Sequence, residues 1–183
     1  IAKADQRELS KISRDIGLAY RFKSATIVYK EPNRVRMEGA AEGAKLAWIM
    51  NGLVQVVYIN GKKVSEKKYD DAPGKRKSLM DVGLVSEYYL TYTRAKFLRE
   101  GSVDGAKCAV FEMRYDPKFR DTSHHTVYID PVTKCVLRRE SYAQDGKLQA
   151  VYFFRGPKEV APGIWFPSRV EAQNLDRVLA GVT

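Results

Sequence analysis

The first residues of the chain repeat their apolar positions at helical spacing. Leu9, Ile12 and Ile16 recur among Asp, Glu and Lys, which reads as a short helix or a loose lead-in across Ala4 to Arg14. From Leu18 the period becomes two. Leu18, Tyr20, Phe22, Ser24, Thr26 and Val28 share one face, with Arg21 and Lys23 on the other, so the pattern predicts one long, curved strand. Glu31-Pro32-Asn33 makes a turn, because proline fixes φ and offers no donor. A second strand carries Val35 and Met37, and Gly39 to Gly43 reads as a small-residue turn. Strands at Lys45 to Met50, Leu53 to Ile59 and Lys62 to Tyr69 follow, joined by Asn51-Gly52 and Asn60-Gly61, the strongest short hairpin signals available.

Asp70 to Gly74 interrupts this meander, and Lys75-Arg76-Lys77 forms a dense basic cluster. Beyond it Leu79, Val82, Val85 and Tyr89 fall on one helical face, predicting one amphipathic helix, or two split at Gly83. Alternation then resumes over Ala95 to Glu100, Ala106 to Tyr115, Thr126 to Ile129, Lys134 to Tyr142, Leu148 to Phe154 and Trp165 to Ala172. About ten strands, one helical insertion and no βαβ rhythm predict a mainly β chain. No low-complexity linker divides residues 1–183, which are therefore read as a single domain.

Charge changes the picture. With 32 Lys+Arg against 22 Asp+Glu the net charge is +10, which makes an anionic partner worth testing: nucleic acid, lipid headgroups or an acidic protein. The aromatics argue against nucleic acid. Tyr20 and Phe22, Phe111 and Met113, and Tyr152 and Phe154 sit on apolar strand faces, apart from Arg21 and Lys23, so no mixed aromatic-basic sheet results. No run approaches the ~20 apolar residues of a spanning helix. The first five residues lack the regions of a leader peptide, and an upstream leader is assumed removed.

Catalytic signals are absent. His124 and His125, the two histidines, are neighbours on a strand and point to opposite faces, so they cannot ligate one metal together. Neither G-x-S-x-G, a P-loop nor G-x-G-x-x-G occurs, and no cofactor or metal is expected. Cys108 and Cys135 lack C-x-x-C spacing and lie on strands two apart, roughly 9–10 Å at ~4.8 Å per step. A disulfide needs Cα atoms within about 7 Å, so free, buried thiols are expected. What remains is apolar capacity, for ten strands have little helix to cover them. Either the sheet closes on itself or it keeps a pocket for an apolar ligand.

Four segments resemble the LolA/LolB-type periplasmic lipoprotein-carrier superfamily, which includes outer membrane lipoprotein-sorting proteins. They are Tyr29 to Glu38, Val103 to Glu112, Tyr128-Ile129-Asp130-Pro131 with Val136 to Glu140, and Gly163 to Glu171. The resemblance implies an incomplete, half-open antiparallel β-barrel of about eleven strands, with a helical lid over an apolar cavity. The lid would span 75–92, with Leu79, Val82, Val85 and Tyr89 beneath it. The cavity would be lined by Tyr20, Phe22, Val35, Met37, Trp48, Phe97, Phe111, Met113, Tyr152 and Phe154. Lys75, Arg76 and Lys77 would touch an anionic surface.

On this reading the chain is a monomeric periplasmic carrier of the acyl chains of a lipoprotein or lipid toward the outer membrane, without catalysis. Its partners would be an inner-membrane exporter and an outer-membrane acceptor, with peripheral membrane contact. The alternatives are a periplasmic sensor or adaptor that holds a protein segment, and a nucleic-acid-binding β module. Two details depart from the family or extend it. Carriers that latch their lid place an arginine where this chain has Glu31, and the family continues with a further strand after a segment like Gly181-Val182-Thr183.

Overall fold

A computed structural model describes residues 2–30, 33–70, 72–76 and 79–183. Among the described residues thirteen strands form two antiparallel sheets, neither closed into a barrel. The smaller sheet is a five-stranded meander in chain order: β2 Ala25–Lys30, β3 Arg34–Ala41, β4 Ala44–Asn51, β5 Val54–Ile59 and β6 Lys62–Lys68. The larger holds β7 Thr93–Val103, β8 Ala106–Tyr115, β9 His124–Ile129, β10 Val136–Tyr142, β11 Leu148–Ala161, β12 Ile164–Asn174 and β13 Leu179–Val182. These run in sequence, and a two-residue strand, β1 Lys3–Ala4, pairs on the far side of β13. This is the half-open β architecture with a lid that the sequence resemblance implied.

The meander follows from its turns. Asn60 and Gly61 both take positive φ, the conformation an Asn-Gly hairpin supplies at least strain. Asn60 also accepts the Lys45 N–H at 2.9 Å, which pins the β4–β5 hairpin. The expected turn over Gly39 to Gly43 is shorter than that, because β3 continues to Ala41 and only Glu42 and Gly43 turn.

One expectation is corrected. The long strand from Leu18 does not form: α1 Gln6–Ile12 is followed by α2 Arg14–Ala19, and β2 begins only at Ala25. Asp5 caps α1 by accepting the Arg7 and Glu8 N–H groups, and the Ser13 hydroxyl accepts the Ile16 N–H at the start of α2. Period-two spacing of Tyr20 and Phe22 loses to packing, since each ring lies on a glycine of a sheet. A Cβ on Gly181 would sit 2.3 Å from the Tyr20 ring, and one on Gly39 would sit 2.7 Å from the Phe22 ring.

The lid takes the expected form split at Gly83, in short pieces: 3₁₀ turns at Pro73–Lys75 and Leu79–Val82 and a single α-turn, α3 Glu87–Leu90, started by Ser86 as N-cap. Gly83, at φ +87°, breaks the helical path between them. Gly181 and Val182 form the end of β13.

The main core lies on the inner face of the larger sheet, beneath α1 and the lid segment. Leu9, Ile12, Met80, Tyr89 and Tyr92 pack on Met113, Val127, Val136, Ala150, Tyr152, Phe154, Ala172 and Ala180. A smaller cluster of Val103, Cys108, Val110, Tyr128 and Leu137 occupies the outer face. Both cysteines are free and buried, Cys108 on β8 and Cys135 just ahead of β10. Among the described residues no helix is long and apolar enough to cross a membrane.

Candidate functional site

The inner face of β8–β11 is set by register. Phe111 opposes Val127, which opposes Arg139, which opposes Tyr152, which opposes Ala172, so a single row crosses five strands. A bulge between Val136 and Arg138 lets both Val136 and Arg139 reach this face. Arg139 is therefore a charge on the floor of an apolar core.

Arg139 is almost wholly buried. Its Nη1 donates to the Met80 carbonyl at 3.0 Å and lies 3.4 Å from Asp81 Oδ1, while the guanidinium sits 4.5 Å from the centre of the Tyr152 ring. Burial works against the charge, but Asp81 and the phenols of Tyr152, Tyr89 and Tyr115 outweigh it, so Arg139 stays a cation. The floor of the sheet thus holds the 3₁₀ turn of the lid by a charged bond. A second tether is the Val136 N–H to the Gly83 carbonyl at 3.1 Å.

Beside Arg139 the inner face becomes polar. His125 is half-buried, with Nε2 3.2 Å from the Tyr115 hydroxyl and Nδ1 3.1 Å from the Ser141 hydroxyl. Desolvation, reinforced by Arg139, pushes its pKa down to about 3, and the ring is neutral. Burial pushes the Tyr115 and Tyr152 phenols up to about 12, so both are donors at neutral pH. A cavity of about 180 Å³ lies here, lined by Arg139, Asp81, His125, Tyr115, Ser141 and the apolar Ile12 and Ile16. That is room for about six waters, too little for an acyl chain unless the lid segment moves. Among the described residues no group of three or more His, Cys, Asp or Glu is placed to hold a metal ion.

The residues named from the sequence divide into separate places. Met113, Tyr152 and Phe154 are in the main core, with Tyr20 and Phe111 packed against it. Phe97 meets Phe111 edge to face at 5.7 Å but is 55% exposed at the open end of the same face. Val35, Met37 and Trp48 share one face of the five-stranded sheet, Met37 opposite Trp48 and Val35 opposite Met50. Phe22 lies at Gly39. Of the lid residues, Tyr89 is in the core, Val85 packs against it and Val82 is half-buried; the Leu79 side chain lies outside the described ones.

The basic cluster needs a correction. Arg76 is buried, with Nε donating to the Tyr69 carbonyl at 2.9 Å, Nη2 to the Asp70 carbonyl at 2.7 Å, and its plane near the Tyr92 and Phe119 rings. It clasps the end of β6 to the lid segment and has no face left for a headgroup. Lys77 and Glu31 lie outside the described residues, as does the Lys75 side chain.

The Arg139–Asp81–His125 group was not foreseen. A signal existed, because in Arg138-Arg139 on a strand one of the two must face inward. The bulge decides which, and a bulge is invisible in alternation.

No protein-family model matches this sequence, and no curated protein matches it. Solved structures do match. A domain described as an outer membrane lipoprotein-sorting protein from Vibrio parahaemolyticus superposes with a TM-score of 0.60 at 15% identity, covering 87% of this chain and 75% of that one. The chain has a LolA-like fold. A LolA superfamily protein from Nitrosomonas europaea gives 0.57 at 14% identity, over 82% of this chain and 68% of that one. A DUF1329 family protein from Desulfovibrio piger also gives 0.57, at 15% identity over 86% and 70%. At such identities the likeness is one of fold, so the LolA-like frame says how the sheet and lid are arranged and leaves the ligand to the residues.

Proposed function

We propose that the chain is a periplasmic carrier that takes acyl chains of a lipoprotein or lipid beneath its lid segment and moves them toward the outer membrane without chemistry. The observation that carries this reading is the construction of the lid. Met80, Tyr89 and Tyr92 cover the floor residues Met113, Tyr152 and Phe154, and Arg139 holds that cover by a charged bond. Moving the segment between Leu79 and Leu90 would expose apolar floor on both sides of Arg139, reaching Phe111 and the already open Phe97.

Apolar area is sufficient for such carriage. A long acyl chain gains about 0.8 kcal/mol per buried CH₂, on the order of 10 kcal/mol before ordering costs. The likeness to the Vibrio parahaemolyticus outer membrane lipoprotein-sorting domain supports the same class of cargo, and an inner-membrane exporter, an outer-membrane acceptor and a periplasmic location complete the proposal. Native mass spectrometry of protein purified from its own host, followed by lipid extraction, tests this. Co-purified acyl-bearing mass supports the proposal. Delipidated mass that takes up neither fatty acid nor acylated peptide rejects it.

A further inference from the structure

The larger sheet ends in an edge that is unusually bare. β7 is eleven residues long, and among the described residues it pairs with β8 alone. Arg94 through Glu100 are all exposed. A strand edge of this length presents a row of N–H and C=O groups whose natural complement is another extended backbone. The other long-sheet edge, β1, has two residues, and in the smaller sheet β6 is guarded by Lys62, Lys63, Lys67 and Lys68.

Register sorts the side chains of β7. Ala95 and Phe97 oppose Met113 and Phe111 and so lie on the inner, apolar face. Arg94 and Lys96 oppose Arg114 and Glu112 on the outer face. A bulge between Phe97 and Arg99 skips Leu98, so Arg99 opposes Val110 and returns to the outer face as well. One face of the edge is therefore apolar at Ala95 and Phe97, with Glu100 opposite Ala109 beyond them, and the other carries three cations in line. Arg94 is 3.4 Å from Asp116, and Lys96 lies opposite Glu112, whose carboxylate already binds Arg114.

We propose that β7 is a strand-addition site for an extended polypeptide segment in which apolar and acidic residues alternate. Backbone bonds to β7 hold the segment, its apolar side chains lie beside Phe97 and Phe111, and its carboxylates face Arg94, Lys96 and Arg99. A second copy of this chain fits poorly, because antiparallel self-pairing would set the three cations against one another. The inference does not depend on acyl carriage, because it uses the edge of the sheet and not its floor.

The test uses fluorescent octapeptides of alternating valine and glutamate, alternating valine and lysine, and a block arrangement of the valine–glutamate composition. Anisotropy should show the alternating acidic peptide binding about tenfold tighter than either other, since three cross-strand charge pairs change sign or lose register. Its affinity should fall with salt. Hydrogen exchange should slow at residues 94–101. The double variant Lys96→Glu with Arg99→Glu should reverse the preference toward the valine–lysine peptide, which a merely damaged edge would not do. Equal binding of all three peptides, or protection that appears on β2 instead of β7, overturns the proposal. Protection of β7 that grows with protein concentration and needs no peptide would mean a second copy occupies the edge, and also overturns it.

Discussion

Nη1 of Arg139 donates to the carbonyl oxygen of Met80 at 3.0 Å, joining the floor of the larger sheet to a turn 59 residues earlier in the chain. The bond is made inside the core, where removing one member of a charged contact leaves the other without solvent. Asp81 remains about one-third exposed, so it can recover water when the arginine is lost. Arg139→Met is expected to destabilise by about 2–3 kcal/mol, at or below the usual range for breaking a buried pair. It should also speed amide exchange in residues 79–92 more than in β11. Denaturant unfolding and exchange by mass spectrometry check both. Uniform acceleration along the chain would show that Arg139 supports the whole core and not the lid.

Gly181 and Tyr20 make a second contact with a sharp consequence. A methyl group at residue 181 would stand 2.3 Å from the ring, so Gly181→Ala must displace α2 or bend β13. The expected cost is about 1–3 kcal/mol, as for other overpacked sites. In the Tyr20→Ala background the same change should be close to neutral, a non-additivity that urea titration of the four proteins would measure.

These two contacts also show what alternation can and cannot reveal. β8 and the turns at Asn51-Gly52 and Asn60-Gly61 were legible, because period two and Asn-Gly chemistry are local. Tyr20 and Phe22 kept the same period and yet lie outside any strand, because glycines far along the chain received their rings. Apolar spacing from Leu79 to Tyr89 suggested one helix or two split at Gly83, and the split form is the one present, as short turns. The candidate site was least legible of all. A bulge put Arg139 inward, a basic cluster turned Arg76 inward, and His125 looked like an ordinary strand residue until Tyr115 and Ser141 were beside it.

Acid should find His125. Its folded pKa, about 3, lies below the unfolded value near 6.5, so below pH 6.5 the unfolded chain binds a proton that the native state refuses. Stability contributed by the neutral ring is complete above pH 6.5 and is lost as pH falls toward 3, by about 1.4 kcal/mol per pH unit through most of that window. His125→Asn should flatten the decline between pH 6 and 4 relative to wild type. Parallel curves for the two proteins would place the proton elsewhere.

Acyl carriage itself is tested most directly by titrating delipidated protein with a fluorescent long-chain fatty acid. The account predicts saturable binding at micromolar concentration, with emission shifted to that of an apolar environment. It predicts tighter or faster uptake in Arg139→Met, where the lid segment is released, and weaker uptake in Phe154→Asp, where the floor is charged. No binding by the wild type or by Arg139→Met, with both proteins folded, would contradict it.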